Sequence, residues 1–179
     1  PGATGGSFGT QSVYLSHALK EGTGAEVLVI GSAAGQEVKA ALTFRAARVD
    51  AVELVGYVVH AGKHFYQDFN GGIFNHPNVA AHVAEGRSFL RASNRQYDII
   101  QIFSNHTSSS IAAGSGAMAP TYLQTTDAYR EYFSHLKEDG LLQINHHVYP
   151  KMVLTAARAW KESGREDFRR HVLVFGLKG

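Results

Sequence analysis

Short aliphatic runs alternate with segments of helical periodicity along most of this chain, and the alternation constrains the fold more than any other feature. A continuous aliphatic run such as "EVLVIG" suits a strand buried on both faces, and strands joined by helical crossovers run parallel. The sequence therefore predicts an α/β fold, doubly wound, with a mostly parallel sheet between helices. The strands are predicted at 26–31, 48–54, 79–84, 97–103, 140–147 and 171–176.

Helices are recognised by apolar residues that recur three and four positions apart. The clearest one is predicted at 121–140, with Gly140 as its stop signal. Its apolar face is expected to consist of Tyr122, Tyr129, Tyr132, Phe133 and Leu136. Further helices are predicted at 10–22, 36–46, 57–69, 86–93 and 151–164.

The length of 179 residues suffices for one buried core. We expect residues 1–24 to form a flexible segment and a helix, and residues 25–179 to form a single α/β domain. Because the sequence does not begin with Met, we expect this domain to be excised from a longer protein.

Composition excludes several functional classes. The net charge of +2 and the absence of a basic run argue against nucleic acid as a partner. Without cysteine the chain has no disulfides or thiolate metal ligands, which fits the cytoplasm. No apolar stretch reaches the roughly 18 residues of a membrane span, so no membrane contact is expected for this segment. The ten histidines form no metal-binding motif, and no metal site is predicted.

The turn after the first predicted strand contains only small residues. Gly31, Ser32, Ala33 and Gly35 let a backbone approach a ligand closely, and ligands of parallel sheets collect at such strand ends. The dinucleotide pattern G-x-G-x-x-G is broken by Ala33 and Gln36. An NAD-dependent oxidoreductase is therefore the least favoured alternative.

Two acidic residues lie at the carboxyl ends of the next two predicted strands, Glu53 at the end of one and Glu85 directly after the other. Glu53 stands 22 residues after Gly31, near the spacing at which an acid binds a ribose diol. Glu85 is placed to accept a hydrogen bond from an adenine amino group. The alternatives are a solvent-facing Glu53, and a Glu85 that caps the short helix beginning near Gly86. Together the turn and the two acids predict a site for an adenosine-like ligand without phosphates.

These stretches resemble the class I S-adenosylmethionine-dependent transferases, within them the spermidine synthase-like group. The resemblance extends from about Val27 to Ile144, and its matching stretches are "VLVIGSAAGQEV", "VDAVEL", "NVAAHVAEGRSFLRASNRQYDII" and "YLQTTDAYREYFSHLKEDGLLQI". It implies a Rossmann-like methyltransferase fold, here lacking the final antiparallel strand. It also implies that Gly31, Gly35, Glu53 and Glu85 bind S-adenosylmethionine or decarboxylated S-adenosylmethionine. Gly86 and the other turn residues would complete this cofactor site.

One segment departs from the family pattern. Aminopropyltransferases of this group carry the acidic motif D-S-S-D after the fourth strand, where this chain reads Phe103, Ser104, Asn105 and His106. Both acids are absent, so a methyl group is favoured over an aminopropyl group as the group transferred. His106 is then the candidate general base, with a loop histidine of no chemical role as the alternative.

The segment 104–120 is rich in small and polar residues and is predicted either to close over the site or to be disordered. Ser104, Asn105 and Tyr122 are the candidate substrate or lid residues beside it. The function expected is a transferase that acts on a small molecule. The alternative is a non-catalytic nucleoside-binding or appendage domain of a larger membrane protein, since some relatives are fused to membrane spans. A homodimer is a further expectation, because the sheet would have an open edge.

Overall fold

The computed structural model describes residues 12–103, 122–145 and 150–174. Five strands form one sheet in the order β3-β2-β1-β4-β5, and all four pairings are parallel. The strands are β1 (Glu26–Ile30), β2 (Arg48–Glu53), β3 (Val79–Val83), β4 (Tyr97–Phe103) and β5 (Leu136–Asn145). The strand order reverses between β1 and β4, as in a doubly wound fold, so the predicted fold class is confirmed.

Helices cover both faces of the sheet. They are α1 (Leu15–Leu19), α2 (Gln36–Thr43), α3 (Gly56–His64), α4 (Gln67–Asn70), α5 (Gly86–Arg91), α6 (Thr126–Ser134) and α7 (Pro150–Glu162). Short 3-10 helices lie at Ser12–Tyr14, Ile73–Asn75 and Phe168–Arg170. The predicted helix 57–69 is thus interrupted, because the chain turns between α3 and α4.

Alternate residues of the central strands build two cores. Val27 and Val29 pack with α2 and Phe74 on one face of the sheet, whereas Leu28 and Ile30 pack with α5 and α6 on the other. All four of these side chains are buried, which confirms that the aliphatic run "EVLVI" is a strand enclosed on both faces.

The predicted helix 121–140 was too long. Helix α6 begins after the cap Thr125, whose hydroxyl accepts a hydrogen bond from the N–H of Ala128, and it ends at Ser134. The backbone N–H of Tyr97 then donates to the carbonyl of His135 at 2.8 Å, and the chain continues as β5. Leu136 therefore pairs with Tyr97 in the sheet, and β5 begins before the predicted start at 140.

The prediction of a sixth strand at 171–176 was also wrong for its described residues. Residues 171–174 adopt no strand, and 175–176 lie outside the described residues. The ring of His171 packs on Trp160 with centroids 4.9 Å apart, which holds this stretch against α7 instead of a sheet edge. Among the described residues, no helix has the length and apolarity needed to cross a membrane.

Candidate functional site

The turn after β1 is built from backbone hydrogen bonds. The N–H groups of Gly31 and Ser32 both donate to the carbonyl of Val52, at 2.9 and 3.1 Å. The N–H of Gly35 donates to the carbonyl of Ser32 at 2.7 Å and closes a tight turn through Ala33, which has a φ of +40°. The turn therefore lies against the end of β2.

Two glycines in this turn are required by close packing. Gly31 has a φ of +78°, and a Cβ added there would lie 2.7 Å from the carbonyl oxygen of Phe103. Gly35 has a φ of +93°, and a Cβ there would overlap the side chain of Ile73. The small residues that sequence reasoning attributed to ligand approach are thus also needed for the turn to fit between its neighbours.

Glu53 joins the end of β2 to this turn. Its carboxylate accepts a hydrogen bond from the N–H of Ala33 at 3.0 Å and another from the N–H of Val55 at 2.9 Å. Each oxygen is held by one donor, and a carboxylate has about four acceptor positions in total. The carboxylate is therefore oriented by backbone and retains capacity to accept from a diol.

Glu85 caps helix α5. Its carboxylate accepts from the backbone N–H groups of Arg87 at 3.0 Å and Ser88 at 2.9 Å, and from the Ser88 hydroxyl at 3.0 Å. This is the capping role that sequence analysis gave as the alternative. A contact between Glu85 and an adenine amino group stays a prediction. Gly86 begins the helix, where any side chain would overlap Ile30.

The strand ends bring these residues to one edge of the sheet. Ile30 pairs with Val52, and Glu53 pairs with Val83. The N–H of Ala84 donates to the backbone carbonyl of Glu53 at 3.1 Å. The turn after β1, the acid at the end of β2 and the acid after β3 are therefore neighbours, as the parallel topology requires.

Tyr122 is held by a cluster of charged side chains. Its ring lies 4.1 Å from the guanidinium of Arg87, and its hydroxyl accepts a hydrogen bond from Arg91 at 3.3 Å. Arg87 is buried and donates to both carboxylate oxygens of Glu131, at 2.7 and 2.8 Å. Burial raises the pKa of Glu131, but hydrogen bonds from Arg87 and Arg91 outweigh it and leave that pKa below its ordinary value.

The other candidate substrate residues and the candidate base lie outside the described residues. They are Ser104, Asn105 and His106. Among the described histidines, His60 and His64 lie on one side of α3, with ring centroids 4.6 Å apart. Within the described ranges, no three His, Cys, Asp or Glu side chains are grouped to hold a metal ion.

Three polar groups near the strand ends are buried without a partner in the described part of the chain, and of these only Ser32 was among the predicted site residues. The Ser32 hydroxyl, a carboxylate oxygen of Glu37 and the side-chain nitrogen of Asn145 are buried without a hydrogen-bond partner among the described residues. Burial raises the pKa of the Glu37 carboxyl. A signal existed for both other residues, since Glu37 follows the small-residue turn closely and Asn145 is a polar residue near the end of the predicted strand 140–147.

Comparison with protein families gives a match over most of the chain. A profile of the spermine/spermidine synthase domain matches residues 12–168. Comparison with curated protein sequences gives no match.

Solved structures with a similar fold include two spermidine synthases. The spermidine synthase of Thermotoga maritima aligns with a TM-score of 0.58 and 19% identity over 87% of this chain and 48% of its own. A spermidine synthase in complex with the transition state analogue AdoDATO aligns with a TM-score of 0.59 and 19% identity over 86% of this chain and 52% of its own. The chain therefore spans about half the length of these enzymes.

A methyltransferase shares the fold as well. The ribosomal protein L11 methylase of Lactobacillus delbrueckii subsp. bulgaricus aligns with a TM-score of 0.58 and 17% identity, over 84% of this chain and 66% of its own. At these identities the solved structures show a common fold and no more.

Proposed function

The chain belongs to the spermine/spermidine synthase family, and we propose that the edge formed by the turn 31–35, Glu53 and Glu85 binds S-adenosylmethionine or decarboxylated S-adenosylmethionine. We further propose that the domain transfers a methyl or aminopropyl group from this cofactor to a small molecule. The single observation that carries the proposal is the Glu53 carboxylate, held at the turn by the N–H groups of Ala33 and Val55.

The residues present fit the nucleoside part of such a cofactor. A carboxylate fixed by two backbone donors can accept from two vicinal hydroxyls without reorienting, and charged hydrogen bonds are stronger than neutral ones. The buried Ser32 hydroxyl has no partner among the described residues and offers a further polar contact at the turn. The absence of a third glycine in the turn disfavours binding of a diphosphate. S-adenosylmethionine contains no phosphate, so the turn is compatible with this cofactor.

When bound, the cofactor would supply a carbon activated by a sulfonium, whose bond to sulfur breaks as the acceptor bonds to that carbon and loses a proton. The protein must orient the acceptor and remove that proton. Phe103 stands where the relatives have the first acid of the D-S-S-D motif, so we propose methyl transfer over aminopropyl transfer. His106 as the base remains a proposal.

Calorimetry tests the cofactor site directly. S-adenosylmethionine, its decarboxylated form and methylthioadenosine would be titrated into the wild-type chain and into Glu53→Gln. We expect Glu53→Gln to weaken binding about tenfold or more, because it removes charge-assisted hydrogen bonds to the diol. Glu21→Gln is the matched control, since Glu21 is exposed after α1. Failure of all three ligands to bind the wild-type chain would exclude the nucleoside site.

A non-catalytic nucleoside-binding domain is the second candidate, favoured by the loss of both motif acids in the sequence. It predicts the same binding and the same effect of Glu53→Gln. It differs in turnover, so incubation with labelled S-adenosylmethionine and a panel of amines, alcohols and carboxylic acids separates the two. Product formation excludes the non-catalytic domain.

A further inference from the structure

A chain of hydrogen bonds fixes the side-chain amide of Gln143 in β5. The backbone N–H of Ser16 in α1 donates to its oxygen at 3.0 Å. The nitrogen of Gln143 must then be the donor on its other side, where it reaches the carbonyl of Ser12 at 2.6 Å and the side-chain oxygen of Asn145 at 2.7 Å. A reversed amide would place two acceptors together at Asn145 and two donors together at Ser16. The orientation is therefore set by α1.

The orientation of Asn145 follows from that of Gln143. Because its side-chain oxygen accepts from Gln143, its nitrogen Nδ2 carries the two donors on the opposite side of the amide. Nδ2 is buried and has no hydrogen-bond partner among the described residues. Leaving a buried donor unpaired costs about 1–3 kcal/mol, so such a group in a folded protein calls for an explanation.

Asn145 lies in the row of strand ends that forms the candidate site. It is the last residue of β5 and pairs with Phe103, the last residue of β4. Phe103 is in turn adjacent to the turn after β1, since its carbonyl oxygen would meet a Cβ on Gly31. The donor therefore lies at the same edge as Glu53, on the β5 side of the strand-order reversal.

We propose that Asn145 is a positioning residue for the acceptor, and that its side-chain nitrogen donates a hydrogen bond to a carboxylate or carbonyl oxygen of that molecule. An ammonium group has donors only and cannot pair with this nitrogen. The acceptor class is thus an oxygen-bearing small molecule, an acid or an amide, rather than a simple polyamine. This inference rests on the proposed function, because it concerns the second substrate of the same site.

The test uses two probes of equal chain length that differ at one end. γ-Aminobutyrate carries a carboxylate where putrescine carries an ammonium. Each would be titrated into the chain saturated with methylthioadenosine, by calorimetry and by NMR of the Asn145 side-chain amide. We expect γ-aminobutyrate to bind about tenfold more tightly than putrescine and to shift the Asn145 amide signal, because a charge-assisted hydrogen bond is gained.

Variants test whether the nitrogen of Asn145 causes this preference. Asn145→Asp keeps the acceptor for Gln143 but replaces the donor with a carboxylate oxygen, so the preference should reverse toward putrescine. Gln143→Glu should have the same effect without contacting the probe. Its carboxylate can only accept a hydrogen bond, so it favours the reversed Asn145 amide, in which the oxygen of Asn145 faces the probe. Asn94→Asp, the same change at an exposed position between α5 and β4, should leave the preference unaltered.

The outcomes separate this inference from the proposed function. If methylthioadenosine does not bind the wild-type chain, the proposed function fails and the acceptor site fails with it. If methylthioadenosine binds but putrescine binds as well as γ-aminobutyrate, only the inference on Asn145 is overturned. The same holds if folded Asn145→Asp and Gln143→Glu keep the wild-type preference. Should both variants fail to fold, the wild-type NMR measurement decides alone.

Discussion

The carboxylate of Glu53 accepts a hydrogen bond from the backbone N–H of Ala33, 3.0 Å away, and so ties the end of β2 to the turn after β1. The bond spans 20 positions of sequence and joins the two features on which the nucleoside site was predicted. It also gives the carboxylate a defined direction before any ligand arrives, which lowers the cost of ordering it on binding.

Substitution of Gly31 tests whether this turn tolerates a side chain. Gly31→Ala combines an unfavourable φ of +78° with a contact on the Phe103 carbonyl. Gly22 has the same φ with nothing within 4 Å, so Gly22→Ala isolates the backbone effect. We expect Gly22→Ala to lower the free energy of unfolding by about 1 kcal/mol and Gly31→Ala by clearly more, measured by urea denaturation. Equal losses would show that the contact with Phe103 is harmless.

Replacing Glu85 with Ser separates its two assigned roles. Serine is a good helix cap, so Glu85→Ser should preserve the start of α5 and change the midpoint of thermal unfolding little. The shorter side chain cannot reach an adenine amino group, and we expect methylthioadenosine affinity to fall, though less than in Glu53→Gln. Unchanged affinity in calorimetry would assign Glu85 to capping alone.

Arg87 and Arg91 both bind Glu131 but should differ in their contribution to stability. The Arg87 side chain is 3% exposed and the Arg91 side chain is 51% exposed. Arg87→Met removes a buried ion pair and the contact with the Tyr122 ring, and we expect a loss of about 3 kcal/mol in chemical denaturation. Arg91→Met should leave the unfolding midpoint nearly unchanged, because exposed ion pairs contribute little. Similar losses in the two variants would contradict this ranking.

His17 makes the docking of α1 sensitive to pH. Burial lowers its pKa, which its hydrogen bond to Gln101 only partly offsets. The unfolded chain therefore binds this proton at higher pH than the folded protein does. Its contribution to stability is complete above about pH 6.5 and is lost as the pH falls through the folded pKa.

The variant His17→Gln should remove that dependence. Free energies of unfolding measured between about pH 7.5 and about pH 5.5 should rise with pH more steeply in the wild type, by up to about 1.4 kcal/mol per pH unit. Parallel curves for the two proteins would show that His17 does not titrate differently on folding.

The amino-acid sequence by itself determined the layered α/β fold, the mostly parallel sheet and the neighbourhood of Gly31, Glu53 and Glu85. This was possible because the burial of a strand on both faces leaves a continuous aliphatic run, and parallel strands carry their following loops to one edge. The local hydrophobic pattern and the parallel direction of the strands were sufficient for these predictions.

Tertiary structure alone decided where α6 ends and which way Asn145 points. Helical spacing continues past Ser134, yet pairing of β5 with β4 stops the helix, because strand hydrogen bonds replace those the next turn would form. The amide of Asn145 is oriented through Gln143 by Ser16, which is 127 positions from Gln143. A contact between residues so distant in sequence leaves no periodic trace in either segment, so only the folded chain specifies it.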